Sequence, residues 1–394
     1  MLLLVALLMV AMPASITLSD TSIKGDEYLI SEGKSNQVNP MIYGKYAAWF
    51  QVRLNYWGYV VMLKDLSTGT VTALSNSETH LPIPYASDAT KIFLNDKYCW
   101  WHSFGLSNFY DYKISVYDIA SKKTYEFGDS TAQLINPVVV KDHLFYLRKV
   151  DSTKTLELYM VKIGSSNSPK KVYTYDTQTW GYSYQCGDVA GDQVVWTDKN
   201  DVYMYDVNKS KVIQITKTAE TEYYPIIQNG YIFYNKLTWK AGALVYTIYA
   251  YDIKNEVSFQ LNVKDGAHWQ RPSYNPTSNH FIFTQQYADK GSTVYVLCLY
   301  DIKQRITKEV QRFPAMPVIN SQCASKDFLV WFDGSTGNNN LKLYNYRSNE
   351  IFTVNSTVTP GTPIRIDGRT LIWIDSRNGK PDIYGKDIKI SISN

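Results

Sequence analysis

Residues 191–216 decide the fold. They read Gly191-Asp192-Gln193-Val194-Val195-Trp196-Thr197-Asp198, then Asp201-Val202-Tyr203-Met204-Tyr205-Asp206, then Lys211-Val212-Ile213-Gln214-Ile215-Thr216, with short polar turns between the runs. Apolar and polar side chains alternate in each run, the period of half-buried strands; a helix would space its apolar residues three and four apart. The phrase returns near the C-terminus as Thr370-Leu371-Ile372-Trp373-Ile374-Asp375, Arg377-Asn378-Gly379 and Asp382-Ile383-Tyr384-Gly385-Lys386-Asp387. It returns again at Phe328-Leu329-Val330-Trp331-Phe332-Asp333 with Leu341-Lys342-Leu343-Tyr344-Asn345. Weaker copies run through Trp49, Trp101, Tyr146, Tyr234 and Phe283.

Registered on the residue that closes the second run, the copies fall at Asp65, Asp118, Lys162, Asp206, Asp252, Asp301, Asn345 and Asp387. The intervals are 53, 44, 44, 46, 49, 44 and 42 residues, the period of four-stranded propeller blades. The expected fold is all-β: a single β-propeller of eight four-stranded blades, or seven if one copy is an insertion. The last copy supplies three strands, and Glu27-Tyr28-Leu29-Ile30 is the expected fourth. Adding that N-terminal strand to the last blade would close the ring and cover exposed sheet edges. Pro40, Pro137, Pro225, Pro272, Pro317 and Pro363 stand where first strands are expected to begin, a place where proline costs no ladder hydrogen bond.

Composition agrees with strands and turns. The 394 residues are 45% hydrophobic and 19% charged, and they include 33 Tyr, 14 Phe and 10 Trp. The net charge of +4 is spread without a basic stripe, so no nucleic-acid partner is expected. Leu2 to Met12 is an apolar run followed by small residues, which suits a secretory signal peptide over 1–19, with 20–394 as the propeller domain. No second segment is long enough to span a membrane, so a secreted, extracellular or periplasmic protein is expected. In such a compartment Cys99, Cys186, Cys298 and Cys323 could be two disulfides or four free thiols. Asn208 and Asn355 open glycosylation sequons.

The unit of apolar-Trp-x-Asp, a turn such as Arg377-Asn378-Gly379, then Asp-Ile-Tyr and a closing Tyr-Asp resembles the TolB-like propeller repeat. The resemblance covers nearly the whole chain after residue 19 and is strongest in the fourth, seventh and eighth copies. It implies a secreted or surface-associated binding or scaffold propeller. TolB itself carries an extra N-terminal α/β domain for which this chain has no room. Repeated Asp198, Asp333 and Asp375 read as turn-supporting carboxylates rather than catalytic ones, because a scaffold needs one per blade and a site needs one constellation.

Residues that break the repeat are the better site candidates. Connections between second and third strands and the links between blades share one face of a propeller disc. The repeat places Trp57 and Trp239 in such connections and Trp180 and Trp269 in such links. His80, His268, His102, Arg271 and Tyr224 are expected on the same face, near Arg53 and Tyr223. Amphipathic aromatics with a few cations suit stacking on a glycan or anchoring a protein partner at the cell surface. His143 and His280 enter second strands on the opposite face and read as structural.

No Gly-x-Ser-x-Gly elbow, His-Glu-x-x-His or phosphate-binding glycine loop is present. No catalytic residue, metal or cofactor is therefore assigned. The competing expectation is a metal-dependent polysaccharide lyase or hydrolase with its site at the channel mouth, using His80, His102 and His268. These lie on separated blades, which argues against three ligands on one ion. An architectural role in a surface layer would show as self-association.

Overall fold

The computed structural model describes residues 17–22, 26–31, 35–53, 58–75, 80–82, 92–105, 112–150, 152–176, 189–240, 242–263, 279–289, 291–315, 323–333, 340–354 and 362–390. They form eight sheets, one for each copy of the repeat, and no helix. In blade 1, Gln37–Tyr43, Tyr46–Val52, Tyr59–Asp65 and Val71–Ala73 pair in sequence order. Blades 3, 4 and 5 repeat that order from Gln133–Val140, Val189–Ala190 and Thr221–Gln228. In blade 2 the inner strand comes in two pieces, His80–Pro82 and Phe93–Leu94, both on Tyr98–Gly105. Blade 6 contributes His280–Asp289, Ser292–Asp301 and Ile306–Phe313 among the described residues. The count is eight blades, not seven.

The eight residues on which the repeat was registered each end the third strand of a blade. The reason is a recurring turn. Side-chain oxygens of Asp65, Asp118, Asp252, Asp301 and Asn345 accept backbone N–H groups two or three residues on, at 2.8–3.3 Å. Their own carbonyls accept the N–H four residues on, from Gly69, Lys122, Glu256, Arg305 and Asn349, at 2.8–3.0 Å. Each of those five residues has φ between 56° and 75°. A carboxylate or amide that can satisfy turn N–H groups is therefore required in most copies.

The prolines sit differently from the sequence expectation. Pro40, Pro137 and Pro225 lie inside their inner strands, where the register skips one residue. The residue before each, Asn39, Asn136 and Tyr224, has φ of 51–52°. Two residues thus face one on the neighbouring strand, a β-bulge that absorbs the missing proline donor. Pro363 does precede its strand, Ile364–Asp367, while Pro272 and Pro317 lie outside the described residues.

Ring closure follows the sequence reading. Glu27–Leu29 pairs antiparallel with Asp382–Asp387 as the outer strand of blade 8, and Ile30 N–H continues the ladder to Ile383 O at 2.8 Å. Arg377 binds Glu27 at 2.6 Å, and its guanidinium also lies 4.2 Å from the Tyr384 ring centre. One strand was not anticipated: Thr17–Ser22 adds parallel to Glu350–Val354 of blade 7. The boundary expected at residue 19 falls inside that strand; residues 1–16 lie outside the described ones.

The core is not central but lies between blades. Trp49, Trp101, Trp196, Trp331 and Trp373 occupy second strands at 0–2% exposure and pack in clusters spanning neighbouring sheets. Among the described residues no helix is long and apolar enough to cross a membrane. Cys99, Cys298 and Cys323 are buried, and Cys186 lies outside the described residues.

Candidate functional site

Five of the nine sequence-selected residues, Trp57, Trp180, Trp269, His268 and Arg271, lie outside the described residues. His80 opens an inner strand of blade 2 rather than sitting in a link between blades. His102 lies within the second strand of that blade, opposite Ile114 and 4% exposed, not in the connection after it. Tyr224 and Trp239 both belong to blade 5, Trp239 at the end of its second strand rather than in the connection after it.

Blades 5 and 6 have overlong second and third strands. Tyr231–Lys240 pairs with Ala243–Asp252, and His280–Asp289 with Ser292–Asp301, ten residues each, against six in blade 8. The extra rungs lie at the second-to-third-strand end. Four residues at 3.3 Å each carry these hairpins about 13 Å further out than their counterpart. At the tip of the first, Trp239 is 75% exposed and pairs with Leu244, 38% exposed.

Alternation along the strand fixes which way the tip looks. Phe233 stacks on Phe281 of blade 6 with ring centres 4.1 Å apart, so Asn235, Leu237 and Trp239 share its side of the sheet. From blade 6, Phe283, Gln285 and Tyr287 look back towards blade 5, and Tyr224 packs against the same cluster from the inner strand. The two hairpins thus flank a seam with an apolar floor and an aromatic rim. Asn235 is 1% exposed, with both amide atoms unpartnered, and Gln285 Oε1 is unpartnered too. The outer wall is charged: Arg312 lies over Tyr287 at 5.9 Å and binds Glu309 at 2.7 Å and Asp289 at 3.3 Å. Leu244, Tyr287 and Arg312 escaped the sequence reading because they belong to strands whose extra length shows only once paired.

The repeated carboxylates have structural partners. Asp198 accepts the Tyr173 hydroxyl of blade 3 at 2.9 Å, and burial raises its pKa. Asp333 accepts Gln311 Nε2 of blade 6 at 2.9 Å. Asp375 accepts the Arg377 N–H at 2.8 Å and its guanidinium besides. Two of the three therefore tie neighbouring blades together, a use the sequence reading had not foreseen. His143 and His280 head second strands as expected, and burial lowers the pKa of both. His280 also lies 4.5 Å from the Tyr346 ring and 3.8 Å from Asp301. Among the described residues no three His, Cys, Asp or Glu side chains converge on a point that could hold a metal ion.

No protein-family profile matches the sequence, and no curated protein does either. Solved structures do share the fold. An oligogalacturonate lyase from Vibrio parahaemolyticus aligns over 95% of this chain and 100% of its own, with TM-score 0.51 and 11% identity. A prolyl endopeptidase structure aligns over 91% of this chain and 50% of its own, with TM-score 0.52 and 11% identity. TolB from Acinetobacter baumannii aligns over 79% of this chain and 80% of its own at 14% identity, with a TM-score of only 0.36. At these identities the likeness is one of architecture: the chain is an eight-bladed β-propeller.

Proposed function

We propose that the protein is a secreted, TolB-like binding propeller that takes a glycan or protein partner at the cell surface, without chemistry of its own. The observation that carries this reading is Trp239, 75% exposed on a hairpin that stands clear of the disc. A large aromatic left in water at a projecting tip costs solubility and adds nothing to the core. Beside Leu244 it forms a flat amphipathic contact of the kind that dominates recognition energetics. Tyr287 on the next hairpin supplies a hydrogen-bonding neighbour, and Arg312 on the outer strand beside it a cationic one.

The test pairs a polysaccharide and cell-envelope binding survey with elemental analysis of the purified protein. Binding that falls by about 2 kcal/mol on Trp239→Ala, roughly 30-fold, supports the reading. Binding indifferent to that change, or a stoichiometric divalent ion with cleavage of an acidic polysaccharide, overturns it and favours the lyase.

A further inference from the structure

Arg365 stands at a position that is apolar in blades 1, 3, 5 and 7. The inner strands of blades 1, 3, 5 and 8 end in the pairs Tyr43–Tyr46, Val140–His143, Gln228–Tyr231 and Asp367–Thr370. Two residues before each pair stand Met41, Val138, Ile226 and Arg365. In blade 7 the Ser325 N–H to Phe328 O bond closes the same turn and puts Cys323 at that position. Met41, Ile226 and Cys323 each pack into the cluster shared with the following blade. Ile364 and Ile366 face blade 7, so Arg365 faces blade 1, where Nε reaches Met41 Sδ at 3.4 Å.

The guanidinium is almost wholly enclosed and has no counter-ion among the described residues. The residue is 6% exposed. Its Nη1 donates to the carbonyl of Ile364 at 3.0 Å, and the two acceptors it meets, that oxygen and the Met41 sulfur, are both neutral. Burial lowers the arginine's pKa to about 10, and among the described residues the one ionisable group that bears on it is the buried Cys323 thiol. It is therefore a cation at neutral pH, and a buried cation without an anion is among the most costly features a fold can carry. A guanidinium presents five donors in a planar fork that matches two oxygens of a carboxylate or phosphate. Ile364–Asp367 is the innermost strand of its blade, and inner strands of a propeller border the central channel, from which a small ion could reach the guanidinium.

We propose that the seam between the inner strands of blades 8 and 1 is an oxyanion site, in which Arg365 binds a carboxylate or phosphate group entering from the channel. The site is independent of the aromatic hairpins. Thermal unfolding is followed while phosphate or acetate is titrated against chloride at matched ionic strength. The expected result is a saturable rise in Tm with phosphate, acetate or both, the responding ion identifying the group the site takes. In Arg365→Met, the residue of blade 1 at this position, anion affinity falls at least about tenfold, or 1.4 kcal/mol. Arg365→Lys retains part of it. In chloride alone Arg365→Met unfolds no lower than the parent, since an apolar isostere of an unpaired buried charge is neutral or stabilising. A parent indifferent to both anions, a response that survives Arg365→Met, or an Arg365→Met protein much less stable in chloride would each overturn the proposal.

Discussion

Closing a ring with the first described strands of a chain makes one glycine a sensitive reporter. Gly385, in the third strand of blade 8, sits directly opposite Tyr28. A Cβ built there would lie 2.8 Å from Ile30 Cδ1, 2.8 Å from Tyr28 Cε2 and 2.9 Å from Tyr28 Cζ. Carbon atoms in contact prefer about 3.5–4.0 Å, so three atoms on two side chains must give way. Ile30 is 1% exposed and has nowhere to go. Tyr28 can swing outward only by losing its 3.3 Å bond to Asp387. Gly385→Ala is therefore expected to cost about 1–3 kcal/mol, as overpacking does. The sign is what makes the experiment decisive. Without the closing strand, alanine would be tolerated and would stabilise by about 0.4–1 kcal/mol through the unfolded chain. Urea unfolding followed by tryptophan fluorescence reads the midpoint, and limited proteolysis reads exposure of residues 26–31. In a Tyr28→Ala background most of the clash disappears, so the two changes should couple by about 0.5–3 kcal/mol. A Gly385→Ala protein as stable as the parent, with residues 26–31 equally protected, would refute this account of closure.

Lys122 is held at φ 57° by the turn that Asp118 supports. Lys122→Gly should therefore raise the unfolding free energy measured in urea by up to about 1 kcal/mol, whereas Lys123→Gly in the following strand should lower it. Burial lowers the pKa of His143 and His280. The unfolded chain consequently takes up these protons first, and the stability they contribute is complete above 6.5 and lost as pH falls below it. Tm measured from pH 7.5 to 5 should fall, and His143→Phe with His280→Phe should flatten the slope. In a Cys186→Ser protein, Cys99, Cys298 and Cys323 should be silent to a thiol reagent until urea unfolds the chain, because all three are buried. Reaction of any of them in the native state would contradict that packing.

The scaffold was legible because it repeats. Most blades carry a strand-ending Asp or Asn, and all carry apolar residues at alternate positions, so one copy teaches the reader to find the next, and even Glu27–Leu29 could be placed by what blade 8 lacked. The prolines misled because a bulge leaves no local sign that distinguishes it from a strand start. What separates the two is whether the residues before proline still pair, and Val38, Ile135 and Tyr223 do. His102 misled for a related reason: Tyr98–Gly105 runs three residues past it, and the consecutive polar residues His102 and Ser103 after Trp101 break the alternation that would have extended the strand.

Function has to be sought in the departures, and the physical ground for this is selective cost. An apolar residue facing the next blade is what inter-blade packing demands at the Met41, Ile226 and Cys323 positions. A guanidinium there forfeits that packing and adds desolvation of a charge, a penalty of several kcal/mol that the fold gains nothing by bearing. A hairpin lengthened to expose Trp239 likewise adds two edges and an aromatic to solvent with no return to the core. Both features stand apart from the repeat in the same sense, since deleting either would leave every blade intact. They are also separable by experiment. Trp239→Ala should change partner binding and leave the anion-dependent Tm untouched, and Arg365→Met should do the reverse. If either substitution moved both readouts, the hairpin face and the channel would be one site, and the ligand would be a single molecule long enough to bridge them.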